Sequence, residues 1–505
     1  MGSDAVSLAL KSRIVGYKIT KGNFATVSPN LPQRVVILGE ANDANQNTLV
    51  VNQPTQITSA KDAGDNFGYG SPIYLMARIL FPKQGGGISG IPVFVYPQAA
   101  AGGSTTKALQ ITPTGVANNN GTHTIVLSGR EGLDGQFYDI NIIAGDTTAD
   151  ITQKISDALN NVLGCPVIGT EDDYTATLTS KWKGLTANSL NVTINTNGDD
   201  LGISYAVISL HNGSGTPSIS AALNQFGANW NTIVINGYGT NASIMNALEQ
   251  FNGIPDPTNP TGRFVGIIMK PFIALTGSVA DNESAVTDAR KTQVTIAICP
   301  APLSPGFQFE AAANACALFA LNSQNTPHLD IGGRAYPDMP TPTDIGTMSD
   351  YANRETYLEK GCSTVDLVSG AYVVQDFVTT YHPDGENPAQ FAYCRNIMLD
   401  LNIRYAYYIL EQIHVVDHVI ANDSDAVNAS NVIKPKQWVQ LLNSLAADLT
   451  ARALIVDPKF MTDSLDVSLS SSNPDRLETT FKYKRTGVVR IASTTAEAGF
   501  NFGNV

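Results

Sequence analysis

The chain has 505 residues, 43% hydrophobic and 15% charged, with 44 acidic against 31 basic side chains and a net charge of −13. That length exceeds what one hydrophobic core usually serves, so two or more domains are expected. The acidic balance excludes duplex nucleic acid as a main partner, because neutralising phosphates needs clustered Lys and Arg.

Residues 1–30 read as an N-terminal arm. The opening MGSDAVSLALKSR has no basic start followed by an apolar core, so it is not a signal peptide, and Val6 breaks the myristoylation pattern. Within the arm RIVGYKIT is a short strand candidate, carrying Arg13, Ile14, Val15, Tyr17 and Ile19. LPQRVVILGE then reads as a strand buried on both faces. SPIYLMARILF is a helix with Pro72 in its first turn, and IPVFVYP is the next strand. Strand, helix, strand gives an α/β layer over 31–100, the first part of a core.

The composition changes near residue 100. AAAGGSTTK is a flexible connector, and HTIVLSG, QFYDINIIAG, TATLTSKW and NVTINT are strand candidates with polar turns between them. One helix lies among them, with Ile151, Ile155, Ala158, Leu159 and Val162 on a single face. Residues 101–218 are therefore expected as an inserted β-rich α+β domain, closed by HNGSGTPSIS. The α/β pattern resumes over 219–477 as the second part of the core. It runs through strand candidates NTIVING, RFVGIIM and QVTIAICP, a helix capped by Asn241 or Ser243, and the Ala-rich helix FEAAANACALFALNS. A helix and strands follow from residue 353, then a long helix over about 391–420. A last amphipathic helix shows Trp438, Leu441, Leu442, Leu445 and Leu449 on its apolar side, and LDVSLSSS is a strand.

Residues 478–505 close the chain. Phe481 and Tyr483 alternate with Thr480, Lys482 and Lys484, as in a half-buried strand. After Gly487, Val488, Val489 and Ile491 begin a second β-branched run. A strand without a partner exposes a row of unpaired N–H and C=O groups. Two such arms, the second carrying Thr479, Phe481, Tyr483, Val488, Val489 and Ile491, indicate a subunit that completes its sheets with strands of its neighbours.

Chemical motifs were sought along the same path. Residues 237–242, GYGTNA, match the GxGxxA form of the dinucleotide fingerprint between a strand and a helix. The acidic residue that should end the next strand is missing, since that strand ends in Lys270 and Pro271. A tight turn is the expectation. The glycines at 85–90 run into a strand, not a helix, and fail on context. His414 and His418 are i,i+4 on one helix, but Val415 stands where HExxH chemistry needs Glu and no third ligand is at hand. Cys362 has no local base. The five cysteines, at 165, 299, 316, 362 and 394, form no CxxC pair and are expected to be buried free thiols. No catalytic, cofactor or metal site is expected, and no apolar run approaches the length of a membrane span.

Several stretches in order resemble the tail sheath proteins of contractile phage tails, particularly the Mu-like branch. They are LPQRVVILGE with GYGSPIYLMARIL, the helix GDTTADITQKISDALN, and NTIVINGYGTNASIMNALEQF. NRETYLEKGCSTVDLVSGAYVVQDFVTTYH and NPDRLETTFKYKRTGVVRIASTTAEAGF complete the set. The chain departs in having Asn353-Arg354-Glu355 where Glu-Arg-Asn is commoner. The resemblance implies an α/β sheath core with extended N- and C-terminal arms and an outward-facing inserted domain. It also implies a homo-oligomer built as a helical stack of hexamers around a tail tube protein, with baseplate and tail terminator proteins at its ends. Such a subunit is assembled in a bacterial host cytoplasm into the virion tail, without direct nucleic acid or membrane insertion. Lys434 and Lys436 are candidates to face the tube. A secreted adhesin or surface-layer protein is the alternative from another class, and it should carry a secretion signal and Ca-binding repeats that the sequence does not show.

Overall fold

The computed structural model of the protein describes residues 29–499, apart from 49–52, 89, 267–268, 345–347, 349, 387–388 and 428. The N-terminal strand candidate, with Arg13, Ile14, Val15, Tyr17 and Ile19, lies outside the described residues.

Six strands form the central sheet, in the order Ile296–Pro300, Ile273–Ser278, Ile233–Asn236, Val35–Glu40, Val93–Gln98 and Thr55–Ile57. Neighbours run parallel except Thr55–Ile57, which closes one edge antiparallel. The inner strands are mostly apolar because helices cover both faces. Val35 and Ile37 enter one hydrophobic cluster with the helices Pro72–Leu80 and Gln308–Asn325. Val36 and Leu38 enter another with Ser220–Asn224 and Ala242–Asn252. Local signals set the helix starts. Ser71 Oγ accepts from the Tyr74 amide with Pro72 at the first helical position, and Asn241 Oδ1 accepts from Ser243 and Ile244.

One core strand differs from expectation. The described residues of RFVGIIM form no strand; Gly262–Phe264 is a single 3-10 turn and the strand is Ile273–Ser278, beyond Pro271. Arg263 accounts for this. Its buried side chain donates to Lys270 O at 2.7 Å and to Asn229 O at 2.7 Å, folding the segment back as a loop.

Two antiparallel sheets lie between residues 105 and 212. One is ordered Ile203–His211, Thr106–Gly115, Ala176–Lys183, Val167–Glu171; the other Val192–Asn195, Gly121–Leu127, Asp139–Ile142. The helix Thr148–Asn160 packs on them through Ile151, Ile155 and Leu159. Their apolar interior runs without a break into the central cluster. Trp182 is the bridge, with its ring 5.6 Å from Phe307 and 6.3 Å from Phe309. Arg130 pairs with Glu310 at 3.2 Å and Arg78 with Asp338 at 2.6 Å along the same seam.

A third cluster forms a C-terminal lobe. The helix Cys394–His414 is shorter at both ends than the sequence indicates and serves two cores. Cys394, Ile397, Met398 and Leu401 enter the central cluster, whereas Leu399, Ile403 and Ala406 meet Trp438, Leu442, Leu445 and Leu449 of the helix Pro435–Ala451. Asp466–Leu469 pairs antiparallel with Leu477–Thr480, and Ile455–Val456 with Lys484–Arg485.

Candidate assembly interface

The expectation that residues 478–485 form a strand without a partner in their own chain is corrected here. Leu477–Thr480 and Lys484–Arg485 both pair within the lobe, and the side chains between them are held by it. Thr479 Oγ1 accepts from Trp438 Nε1 at 3.1 Å. The ring of Phe481 lies 5.6 Å from Tyr407 and 6.3 Å from Tyr483. Tyr483 Oη donates to Asp400 Oδ1 at 3.0 Å. The alternation of apolar and polar residues is real, but the face it buries belongs to the same subunit.

Arg485 closes this arrangement. Its Nε donates to Asp400 Oδ1 at 2.6 Å and its Nη2 to Asp400 Oδ2, a two-pronged pair with side chains 19% and 16% exposed. Next, Thr486 Oγ1 donates to Ala453 O at 2.7 Å, and Arg395 Nη1 donates to Thr486 O at 2.5 Å. Beyond this point the side chains change character. Val489 is 85% and Ile491 89% exposed, while Val488 is half-buried. Val489 and Ile491 are the most exposed large apolar side chains among the described residues, and they lie two positions apart, an unsatisfied surface. The described chain also enters at this lobe. The Leu31 amide donates to Asn402 Oδ1 at 2.9 Å, and Asn30 Oδ1 accepts from Arg452 Nη2 at 2.7 Å. The entering and the leaving chain are thus both fastened to the Cys394–His414 helix, at Asn402 and at Asp400. A groove of about 500 Å³ lies beside them, lined by Phe264, Phe391, Leu401, Arg404, Tyr407 and Phe481 among others.

Lys434 and Lys436 sit at the start of the helix Pro435–Ala451. Lys434 Nζ donates to the Asp425 carbonyl, whereas Lys436 is exposed and its amide donates to Asp423 Oδ1 at 3.0 Å.

The 237–242 turn is filled by protein. Asn236 Nδ2 donates to Gly239 O at 2.9 Å and the Tyr238 amide donates to Asn236 Oδ1 at 3.0 Å. A Cβ on Gly239 would lie 2.0 Å from Gln308 Oε1, so Gln308 occupies the space a pyrophosphate would need. At the end of the neighbouring strand, Glu40 Oε2 accepts from Thr186 Oγ1 at 2.6 Å, which in turn accepts from Trp182 Nε1 at 2.9 Å. Burial pushes the Glu40 carboxyl up to about 8, against the Thr186 hydrogen bond. The crevice where a doubly wound sheet usually binds ligands is packed with side chains. All five cysteines are buried free thiols, and burial pushes Cys362 up to about 11. Among the described residues no group of three His, Cys, Asp or Glu could hold a metal ion, and no helix is long and apolar enough to cross a membrane.

Sequence reasoning missed Asp400, Asn402 and Arg490, the polar residues that fasten the termini. For Arg490 a signal existed, a lone charge inside the β-branched run VVRI. For Asp400 and Asn402 none did, since polar residues on a long helix are ordinarily solvated.

No protein-family model matches the chain. It is similar to the Mu-like prophage FluMu tail sheath protein of Haemophilus influenzae, 23% identical over 439 residues that cover 84% of this chain and 85% of that one. Among solved structures it is similar to the sheath tail protein of Desulfitobacterium hafniense, at 14% identity and a TM-score of 0.45, covering 94% of this chain and 100% of that one. A chain of the anti-feeding prophage baseplate aligns over 97% of this chain and 100% of its own length, at 10% identity and a TM-score of 0.47.

Proposed function

We propose that this chain is the structural sheath subunit of a contractile, phage-like tail. The observation that carries the reading is the near end-to-end alignment with the Mu-like prophage sheath protein, 84% of one chain on 85% of the other. Copies stack as hexameric rings around a tail tube and are bounded by baseplate and terminator proteins. They are made in the bacterial host cytoplasm and end in the tail of the particle. The core faces the tube, with Lys436 and Lys434 near it, and the 101–218 segment faces outward. Subunits are linked by exchange of terminal segments, RIVGYKIT with Arg13, Ile14, Val15, Tyr17 and Ile19 at one end and, at the other, the chain that Val488 and Val489 lead into and Ile491 opens. The hairpin Asp466–Leu469 with Leu477–Thr480 is the acceptor. It has only two strands, too few to be stable alone, and among the described residues neither outer edge is paired.

Shortening of such a sheath needs no catalytic group. The extended stack is a kinetically trapped state, and rotation of the bodies into closer packing releases the energy ring by ring while the exchanged strands keep neighbours connected. Negative-stain microscopy of the purified, concentrated protein tests the reading. Striated tubes with sixfold end views are expected; a protein that stays monomeric at every concentration and salt condition overturns it.

A further inference from the structure

Arg490 is the last residue that the body holds. Residues 491–499 are all exposed and make no hydrogen bond or ion pair among the described residues. The Arg490 side chain is 23% exposed and reaches three separate elements. Its Nη2 donates to Asp330 Oδ2 at 2.5 Å, in the loop after the helix Gln308–Asn325. Its Nε lies 3.7 Å from Asp376 Oδ1, at the end of the strand Ala371–Asp376. Its guanidinium stacks 3.5 Å from the ring centre of Tyr393, just before the helix Cys394–His414. Asp330 and Asp376 are themselves only 11% and 18% exposed.

An exposed ion pair would contribute little. This one is different because its carboxylates are removed from water and the cation is shared between them and a ring face. Glu355 adds a further negative charge nearby, and burial pushes the Asp376 carboxyl up to about 6 even beside Arg490. If Arg490 left, Asp330 would lose its hydrogen-bonded cation and Asp376 its neighbouring one, with only the more distant charge of Arg395 near Asp330, which is unfavourable for two buried carboxylates. Gly487 therefore does not act as a free joint, since it lies between two fastened residues, Thr486 and Arg490.

We infer that Asp330, Asp376 and Tyr393 form an arginine socket that stays occupied by Arg490 in the free subunit and in the assembly, making Arg490 the fixed pivot of the C-terminal arm. The segment that crosses to a second copy begins at Ile491. Its fifteen residues, 491–505, span about 50 Å when extended, enough to reach a neighbouring body. Val489 is then covered where it stands, by the incoming copy. The pivot rests on the socket alone; the crossing rests on the sheath reading.

Elastase, which cuts after small aliphatic residues, separates the two. In the free wild-type subunit, cleavage after Val488 or Val489 should be slow and cleavage after Ala492 fast. Arg490→Gln should speed the first roughly tenfold or more, as expected for losing charge-assisted hydrogen bonds, and leave the second unchanged. Arg490→Lys, which keeps the charge but loses the fork and the stacking, should fall between. In wild-type tubes, where Val489 is also covered, the cut after Val489 should be no faster than in the free subunit. Equal rates for Arg490→Gln and wild type would overturn the socket, and a faster cut after Val489 in tubes would overturn its permanence. A wild type that never forms tubes sinks the sheath reading while leaving the free-subunit comparison intact.

Discussion

Asp400 and Asn402, two positions apart on one helix, fasten opposite ends of the chain: Asp400 takes the fork of Arg485, and Asn402 takes the amide of Leu31. The first and last parts of the body's own chain are therefore fastened to the same stretch of the Cys394–His414 helix. That helix also joins the central core to the C-terminal lobe. The helix that fastens both segments is thus the one on which the two cores share a backbone.

The first prediction follows from that pair. Asp400→Asn keeps the shape but leaves Arg485 without its counter-ion in a mostly buried site. The cost should be about 2–4 kcal/mol of lobe stability, read as a lower urea midpoint by Trp438 fluorescence. An unchanged midpoint would show that Arg485 finds another acceptor.

Two deletions separate folding from assembly. Removal of 491–505 takes away, among the described residues, only exposed ones that make no hydrogen bond or ion pair, so melting should stay within about 2 °C of wild type, as for a surface change, while tubes are lost. Removal of 479–505 also takes Thr479, Phe481, Tyr483 and Arg485, unpairs two strands and opens the lobe core. That variant should melt well below wild type or fail to express in soluble form. Long ordered tubes from the shorter deletion would end the proposed role of the C-terminal arm.

What the sequence made legible was what depends on local pattern. VVILGE, IVIN and IAICP are continuous apolar runs up to their last residue or two, so their burial on both faces follows, and Ser71, Pro72 and Asn241 mark helix starts by side-chain chemistry. The strand Ile203–His211 escaped notice because seven of its nine residues face solvent and its pattern names no buried face. The RFVGIIM run misled because a buried arginine, satisfied by three backbone carbonyls, looks in sequence like a strand's charged end. The pairing of residues 477–485 within their own chain was illegible for another reason. Alternation states that a strand has a buried side, and nothing in it states whose body does the burying.

Glu40 gives a prediction in pH. Its folded carboxyl titrates near 8, raised by burial, while in the unfolded chain it titrates near the ordinary 4.5. The folded state thus holds a proton that the unfolded state releases anywhere between these values. Stability from this group is full below about 4.5, falls as pH rises through the window, and levels off above about 8. Glu40→Gln keeps an acceptor for Thr186 and removes the titration. Its unfolding free energy should vary less between pH 5 and 8.5, with an advantage over wild type on the order of a few kcal/mol at the upper end. Parallel pH profiles for the two proteins would contradict a buried neutral Glu40.

Gly277 tests the close seam between sheet and helix. It lies in the strand Ile273–Ser278, where the helix Gln308–Asn325 crosses with Ala311, Ala312, Ala313 and Ala315 all buried. A Cβ at Gly277 would fall 1.7 Å from the Gln308 carbonyl oxygen and 3.0 Å from the Ala312 amide nitrogen, both backbone atoms that a rotamer change cannot move. Gly277→Ala must therefore push the helix off the sheet, taking with it Phe307 and Phe309, which clamp Trp182. A loss of at least about 3 kcal/mol is expected, at the upper end for overpacking. Gly102→Ala, in open space, should change stability by less than about 0.5 kcal/mol. Chemical denaturation of the two variants side by side decides it: equal midpoints would mean that the helix yields freely and that the seam does not hold the insertion to the core.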